Sequence, residues 1–310
     1  MPLVVGLFRQ ASYSPHQHRA NDTAILERTL DHFARDGWAV AHIDESALAN
    51  AWLARATHTP LPPAALYLSM CQGEAASQAL LAFEASADVT LVNRPSSVLA
   101  CHRHRLVPAL AARGVRFPRT EIVDAADADL ASSVVVRDAA ATDSPVWVKR
   151  GDVHAERDED VVRVDAAGVR EVVAAFAARG VRRVALQAHV PGPVLKFYGV
   201  ADGRFFRWYR SDDPAHGTGP SSGQARIDVD EPRLRALAFG AAAALGLDVF
   251  GGDVALPSRD DPVLIDLNDW PSFAPFRDDA ARAIADYARD VVAHARPTLE
   301  TLDALDADVA

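Results

Sequence analysis

Between Asp248 and Phe276 the chain reads DVFGGDVALPSRDDPVLIDLNDWPSFAPF, two apolar runs joined by a charged turn. Runs of this length predict two strands, Asp248 to Leu256 and Pro262 to Leu267, paired as a hairpin. Each strand carries a carboxylate where Val or Ile would suit the pattern. These are Asp253 and Asp266, with Asn268 two residues further on. Side chains alternate along a strand, so Asp266 and Asn268 share a face, and pairing brings Asp253 to it. Carboxylates set among apolar neighbours are costly unless something neutralises them. Two carboxylates and an amide oxygen suit a hard cation, and magnesium takes one or two carboxylates together with substrate phosphates. The hairpin is therefore a candidate for a nucleotide-bound magnesium site, with a solvated surface hairpin as the plainer alternative.

The rest of the chain supplies the setting. Pro2 to Phe8 predicts a strand, Thr23 to Arg35 a helix, Trp38 to Ile43 and Ala64 to Met70 two more strands, Glu74 to Ala85 a helix, and Val89 to Val92 a short strand. Strands alternating with helices imply a mainly parallel sheet, so residues 1–93 form an expected first α/β domain. Ser96 or Ser97 is placed to cap a helix running to about Arg113, with Gly114 past its end. Ser132 to Arg137 and Val146 to Lys149 read as strands, and Ala166 to Arg179 as a helix. Strands follow at Val184 to Ala188, Val194 to Val200 and Arg204 to Tyr209. Pro232 to Leu245 predicts a helix closed by Gly246, and Arg277 to His294 a last helix with Asp278 and Asp279 against its N-terminal dipole. This gives an α/β fold with α+β character in its C-terminal part. The expected division is 1–93, 94–190 and 191–310.

Composition excludes some functions. A net charge of −10 argues against a general nucleic-acid binder. No run of 18 apolar residues is present, so no membrane span is expected. Cys71 and Cys101 have neither metal spacing nor a disulfide framework, which fits a reducing cytoplasm. Neither nucleic acid nor a membrane is therefore expected as a partner; a small-molecule substrate is expected, and the oligomeric state stays open, a homodimer included.

GxxxxGK[ST], GxGxxG, HExxH and CxxC signatures are all missing. Gly219 to Gly223 matches GxSxG, but loop residues precede Ser221 where a nucleophile elbow needs a strand. The segment from Ser211 to Gln224 reads better as a mobile lid. Lys149 ends the apolar run PVWVK beside a glycine turn, where a lysine can meet a phosphate or simply reach solvent. ALQAHVPGPVLKFYGV is a strand broken by Pro and Gly before a second strand, a place where free backbone groups can read a purine edge.

Taken in order, these pieces resemble the ATP-grasp superfamily over roughly the last two-thirds of the chain, Asn93 to His294. The segment NRPSSVLACHRHR resembles the family's Asn/Pro stretch leading to a phosphate-binding lysine, with Arg105 where Lys is usual. Lys149 is similar to the second nucleotide-binding lysine. Gln187 to Val190, with His189 between them, resembles the adenine-holding hinge. Asp253, Asp266 and Asn268 resemble the magnesium set, followed by the usual Pro271 and Ser272. Asp266 departs from the Glu of most carboxylate–amine ligases, and the hinge with Asp266-x-Asn-x-x-Pro looks like the inositol-phosphate kinase branch.

The resemblance implies an ATP-grasp enzyme using MgATP, with manganese as a substitute metal. It implies a ligase in which a substrate carboxylate takes the γ-phosphate and an amine or thiol displaces it. The alternatives are a kinase acting on a polyol or inositol-phosphate-like hydroxyl, and a nucleotide-binding protein without catalysis. Arg207 or Arg210 is the expected transition-state arginine. Lys196 joins the nucleotide site, and His154, Lys196, Tyr198 and the Ser211 to Gln224 loop are candidates to touch the acceptor.

Overall fold

The structure, a computed structural model, describes residues 1–13, 19–56, 60–86, 88–153, 157–211 and 228–295. His154, Ser221 and most of the expected lid therefore lie outside the described residues. Three four-stranded sheets carry the architecture.

The first sheet contains β1 (Leu3–Phe8), β2 (Ala39–Asp44), β3 (Leu66–Ser69) and β4 (Leu91–Val92), in the order β2-β1-β3-β4 and parallel throughout. Helices α1 (Arg19–Arg35), α2 (Glu45–Leu53) and α3 (Glu74–Ser86) connect these strands. Val5, Leu7 and Tyr67 pack with Leu48 of α2 and Leu80 of α3. Helix α2 was not expected from the apolar pattern. Asp44 starts it by accepting the Ser46 amide at 2.8 Å.

Two helices follow, α4 (Pro95–Ala100) and α5 (Arg103–Ala112), where one was expected. Neither Ser96 nor Ser97 caps a helix: Pro95 opens α4, and the Ser97 hydroxyl donates to the Gly246 carbonyl at 2.7 Å. The second sheet has the order β5-β8-β6-β7 and is antiparallel, with β5 (Thr120–Asp124), β6 (Val146–Arg150), β7 (Val161–Val164) and β8 (Arg183–Ala188). Its helices are α6 (Val134–Thr142) and α7 (Val169–Ala178). Helix α6 replaces the strand expected at Ser132 to Arg137. Three consecutive valines suggest a strand, yet Ser133 caps the helix by accepting the Val136 amide at 3.1 Å. Glu121 of β5 also takes the Val134 amide at 2.9 Å, so orphan donors of the first turn are satisfied from outside the segment.

The third sheet, order β10-β9-β11-β12, is antiparallel, with β9 (Val194–Val200), β10 (Phe205–Ser211), β11 (Val249–Ala255) and β12 (Val263–Asp269). Helix α8 (Glu231–Leu245) covers one face, where Leu234, Ala238 and Ala241 meet Leu195, Phe197 and Val254. Asp230 caps it and Gly246 ends it at φ 70°. Helix α9 (Arg277–Ala295) covers part of the other face. Ile284 and Ala288 of α9 share one core with Ile25 and Phe33 of α1, Val4 and Leu68 of the first sheet, and Val200 and Val249 of the third. Among the described residues no helix is long and apolar enough to cross a membrane.

Candidate nucleotide and metal site

Strands β11 and β12 place Asp253 directly opposite Asp266. On the other side of β11, Lys196 faces Asp253, and Tyr209 faces Lys196 across β9 and β10. Opposed residues present their side chains on one face of a sheet, so Tyr209, Lys196, Asp253 and Asp266 form a row across all four strands. The adjacent row on that face is Arg207, Tyr198, Gly251 and Asn268. The alternation that was expected to gather Asp253, Asp266 and Asn268 does gather them. A register shift after Asp253 leaves Ile265 as the extra residue of β12. The two glycines before Asp253 are required by close approach: a Cβ on Gly252 would lie 2.3 Å from the Asp266 carbonyl, and one on Gly251 2.8 Å from Pro271.

The second sheet faces this row. Val146, Val148, Val184 and Leu186 point to the core shared with α6 and α7, so Trp147, Lys149, Ala185 and Gln187 point the other way. Lys149 Nζ donates to the Ile265 carbonyl at 3.1 Å, and Gln187 Nε2 reaches the same oxygen at 3.3 Å. The chain then leaves β8 at Ala188. His189 Nδ1 accepts from the Trp147 indole at 3.2 Å, and half-buried Val190 follows. Burial and then the charge of Arg163 hold the His189 imidazole below its usual value.

Two basic groups meet the carboxylates directly. Lys196 Nζ lies 3.1 Å from Asp253 Oδ1. Arg103, at the start of α5, donates from Nη2 to Asp266 Oδ2 at 2.8 Å and from Nη1 to the Arg150 carbonyl at 2.9 Å. Arg105 is turned elsewhere: it pairs with Glu74 at 3.1 Å on a partly exposed surface. A sequence signal for Arg103 exists, because Arg103, Leu106 and Leu110 form the buried stripe of α5 and a cation stands where a leucine belongs. Arg105, two positions on, falls on a different side of the same helix.

The two buried lysines differ. Burial pulls Lys149 down to about 8, against the charge of Asp266, while Arg103 adds to the fall. Burial also pulls on Lys196, but contact with Asp253 outweighs it and holds the group above its usual value. Of the two candidate arginines, Arg207 is on the carboxylate face, exposed, with its guanidinium 5.5 Å from the Phe205 ring centre. Arg210 faces Leu195 in the register and so lies on the opposite side of the sheet. Tyr198 stacks on Tyr209, ring centres 6.2 Å apart, beside the two carboxylates.

Among the described residues no three His, Cys, Asp or Glu side chains cluster as a metal site by themselves. The donors present are two opposed carboxylates and an amide, which fit an oxygen-seeking divalent ion completed by phosphate oxygens. The strand leads into a tight turn, with Trp270 at φ 36° and Phe273 at φ 50° around Pro271 and Ser272. Arg9, at the end of β1, donates to the Trp270 carbonyl at 3.2 Å and ties this turn to the first sheet.

By sequence, the chain matches no family model and no curated protein. By structure it is similar to a RimK-domain ATP-grasp protein from Sphaerobacter thermophilus, with TM-score 0.62, 22% identity, and coverage of 92% of this chain and 98% of that one. It is also similar to the D-alanine–D-alanine ligase from Coxiella burnetii, with TM-score 0.68, 10% identity and coverage of 99% and 100%. The chain has the ATP-grasp fold. A third similar structure, the ATP-grasp ligase PsnB complexed with its minimal precursor, gives TM-score 0.60 at 14% identity over 94% of this chain and 99% of that one. Lys149, Gln187, Arg103 and the carboxylate row converge where the second and third sheets meet.

Proposed function

We propose that the chain is a MgATP-dependent ligase that joins a substrate carboxylate to an amine or thiol. One observation carries the reading: basic groups from three separate elements, Arg103 of α5, Lys149 of β6 and Lys196 of β9, converge on two carboxylates opposed across a hairpin. Phosphoryl transfer needs positioning and charge neutralisation more than covalent help from the protein. Asp253, Asp266 and Asn268 would hold magnesium, which when bound supplies charge neutralisation at phosphate oxygens. Lys149 and Arg103 are positioned to contact phosphate oxygens, and Arg207, exposed on the same face, to approach the transferred group. Gln187, His189 and Val190 lie where the second sheet gives way to the linker, and their backbone would receive the adenine edge. In the ligase reaction the substrate carboxylate attacks the γ-phosphorus and ADP leaves. The amine or thiol then attacks the carbonyl carbon of the acyl phosphate and expels phosphate.

Support for ligase chemistry comes from similar folds whose names are those of ligases. Asp266 in the middle metal position favours the second reading, transfer to a hydroxyl. A screen of acids with amines or thiols, and of polyols, followed by ADP release and product analysis, tests both. ADP with an amide or thioester supports the ligase, and ADP with a phosphoester the kinase. Failure of any nucleotide to bind ends both.

A further inference from the structure

The carboxylate row already has its own counter-ions. Asp266 is bonded to Arg103 at 2.8 Å, and Asp253 lies 3.1 Å from Lys196. Both pairs are largely removed from solvent, with side-chain exposures of 6% for Arg103 and 25% for Lys196, against 17% and 18% for the carboxylates. Lys149 is a third cation in the group, bonded to the Ile265 carbonyl between the strands and not to either carboxylate. Among the described residues, these two negative groups face these three positive ones, a balance of one positive charge. These separations are well inside the Debye length, about 8 Å at physiological ionic strength, so salt does little to hide the balance. A bare divalent ion approaching Asp253 and Asp266 meets an excess of like charge. It also has to displace the two cations paired with them.

A polyphosphate changes this. Its oxygens are acceptors for Arg103, Lys149 and Lys196, and its negative charge reverses the local balance. We infer that Arg103 and Lys196 are exchangeable counter-ions, holding Asp266 and Asp253 in place and passing to phosphate oxygens when nucleotide arrives, so that metal and nucleotide enter together and the free ion is refused. The inference rests on the MgATP reading and adds to it an order of assembly and two residues that enforce it. It also accounts for the arrangement of α5: Arg103 reaches the site from outside the third sheet, anchored by the Arg150 carbonyl at 2.9 Å, so that it can change partner without moving a strand.

The test is a binding measurement with Mn²⁺ as probe, read by water-proton relaxation, on the full chain. Wild type should give no enhancement with MnCl₂ alone at concentrations where MnCl₂ with β,γ-imido-ATP gives a strong one. Arg103→Met and Lys196→Met should each bind Mn²⁺ alone at least ten-fold more tightly than wild type, and Arg103→Lys should keep the wild-type refusal. Circular dichroism at low temperature confirms that the variants are folded, and two independent positions guard against the loss of one. Wild type binding Mn²⁺ alone as tightly as with the analogue overturns the inference, as does unchanged Mn²⁺ affinity in both Met variants. Calorimetric binding of the analogue in the presence of Mg²⁺ is a separate arm. Its failure removes the nucleotide reading, whereas the gain of Mn²⁺ affinity in the Met variants is decided without any nucleotide.

Discussion

Lys149 and Lys196 are both buried beside the same carboxylates, yet their surroundings move them in opposite directions. For Lys149, a folded value of about 8 lies below the 10.5 of a free lysine, so between those two values the unfolded chain holds more protons than the folded one. Stability from this group therefore rises with pH through that window. At pH 7 the charge is present in both states, and keeping it buried costs on the order of 3 kcal/mol. Lys149→Met should be more stable than wild type at pH 7 in urea denaturation and should give up that advantage by pH 10. An advantage equal at both pH values would contradict the burial argument. Asp266 gives a second test. As bare carboxylates, Asp253 and Asp266 would repel, and neutralising one would cost nothing. With Arg103 bonded to Asp266, the change to Asn leaves a buried guanidinium short of its counter-charge. Asp266→Asn should lose about 1–3 kcal/mol in a melt without metal and cut Mg²⁺-dependent ADP release by at least a hundred-fold. Full turnover in a folded variant would remove the metal assignment. At this scale the shared face of Asp253, Asp266 and Asn268 was legible because a carboxylate in an apolar strand stands out. The partners of those carboxylates were legible only in part, since Arg103 and Arg105 differ by helix phase, which a linear motif does not express.

The β11–β12 hairpin is held in place from the first sheet. Asn93, fully buried just after β4, donates to the Val249 carbonyl at 2.7 Å and accepts from the Asp248 and Val249 amides at 2.8 Å each. Its side chain thus acts as a short stretch of neighbouring strand for the start of β11, four residues before Asp253. Asn93→Ala would take the side-chain acceptor from two amides in a buried place and leave the Val249 carbonyl with the Trp270 amide alone. The expected loss is about 2–4 kcal/mol by urea denaturation, with weaker Mg²⁺ dependence of nucleotide binding in whatever stays folded. A variant within about 0.5 kcal/mol of wild type would show that the hairpin needs no such support. Elements whose signal is local were readable in the sequence: α8, opened by Pro232 and closed by Gly246, and α9 with its apolar stripe. Elements that depend on distant residues were not. Helix α6 starts on Val134 to Val136 because Glu121 of another strand takes its first amides. Ser97, expected as a cap, lies inside α4 and bonds Gly246, which is 149 residues away in sequence.

The largest apolar core belongs to no single sheet. Val4, Leu66 and Leu68 of the first sheet, Ile25 and Phe33 of α1, Ile284 and Ala288 of α9, and Val200, Phe205 and Val249 of the third sheet are buried together. The segment 1–93 reads as a domain from its βα alternation, but alternation says nothing about what covers the outer side of α1. That side is covered by α9, nearly 250 residues later, and ion pairs Arg28–Asp278 and Arg289–Asp36 join the same two helices. Residues 1–93 alone would expose Ile25, Leu26 and Phe33, an apolar strip of the kind that drives aggregation. The expected outcome is that this fragment, expressed alone, is aggregated or lacks fixed side-chain packing by NMR. A soluble, well-dispersed fragment would show the first sheet to be self-sufficient. The same shared core sets the response of the full chain to ligand. On the proposed function, nucleotide held between the second and third sheets would stabilise a hairpin that Asn93 and Arg9 tie to the first sheet. Stabilisation should therefore reach the whole molecule: MgATP well above Kd should move a single unfolding transition by on the order of 2–4 kcal/mol. Splitting into two transitions, with only the later one moved, would mean that the first sheet unfolds independently and that α9 does not couple it to the site.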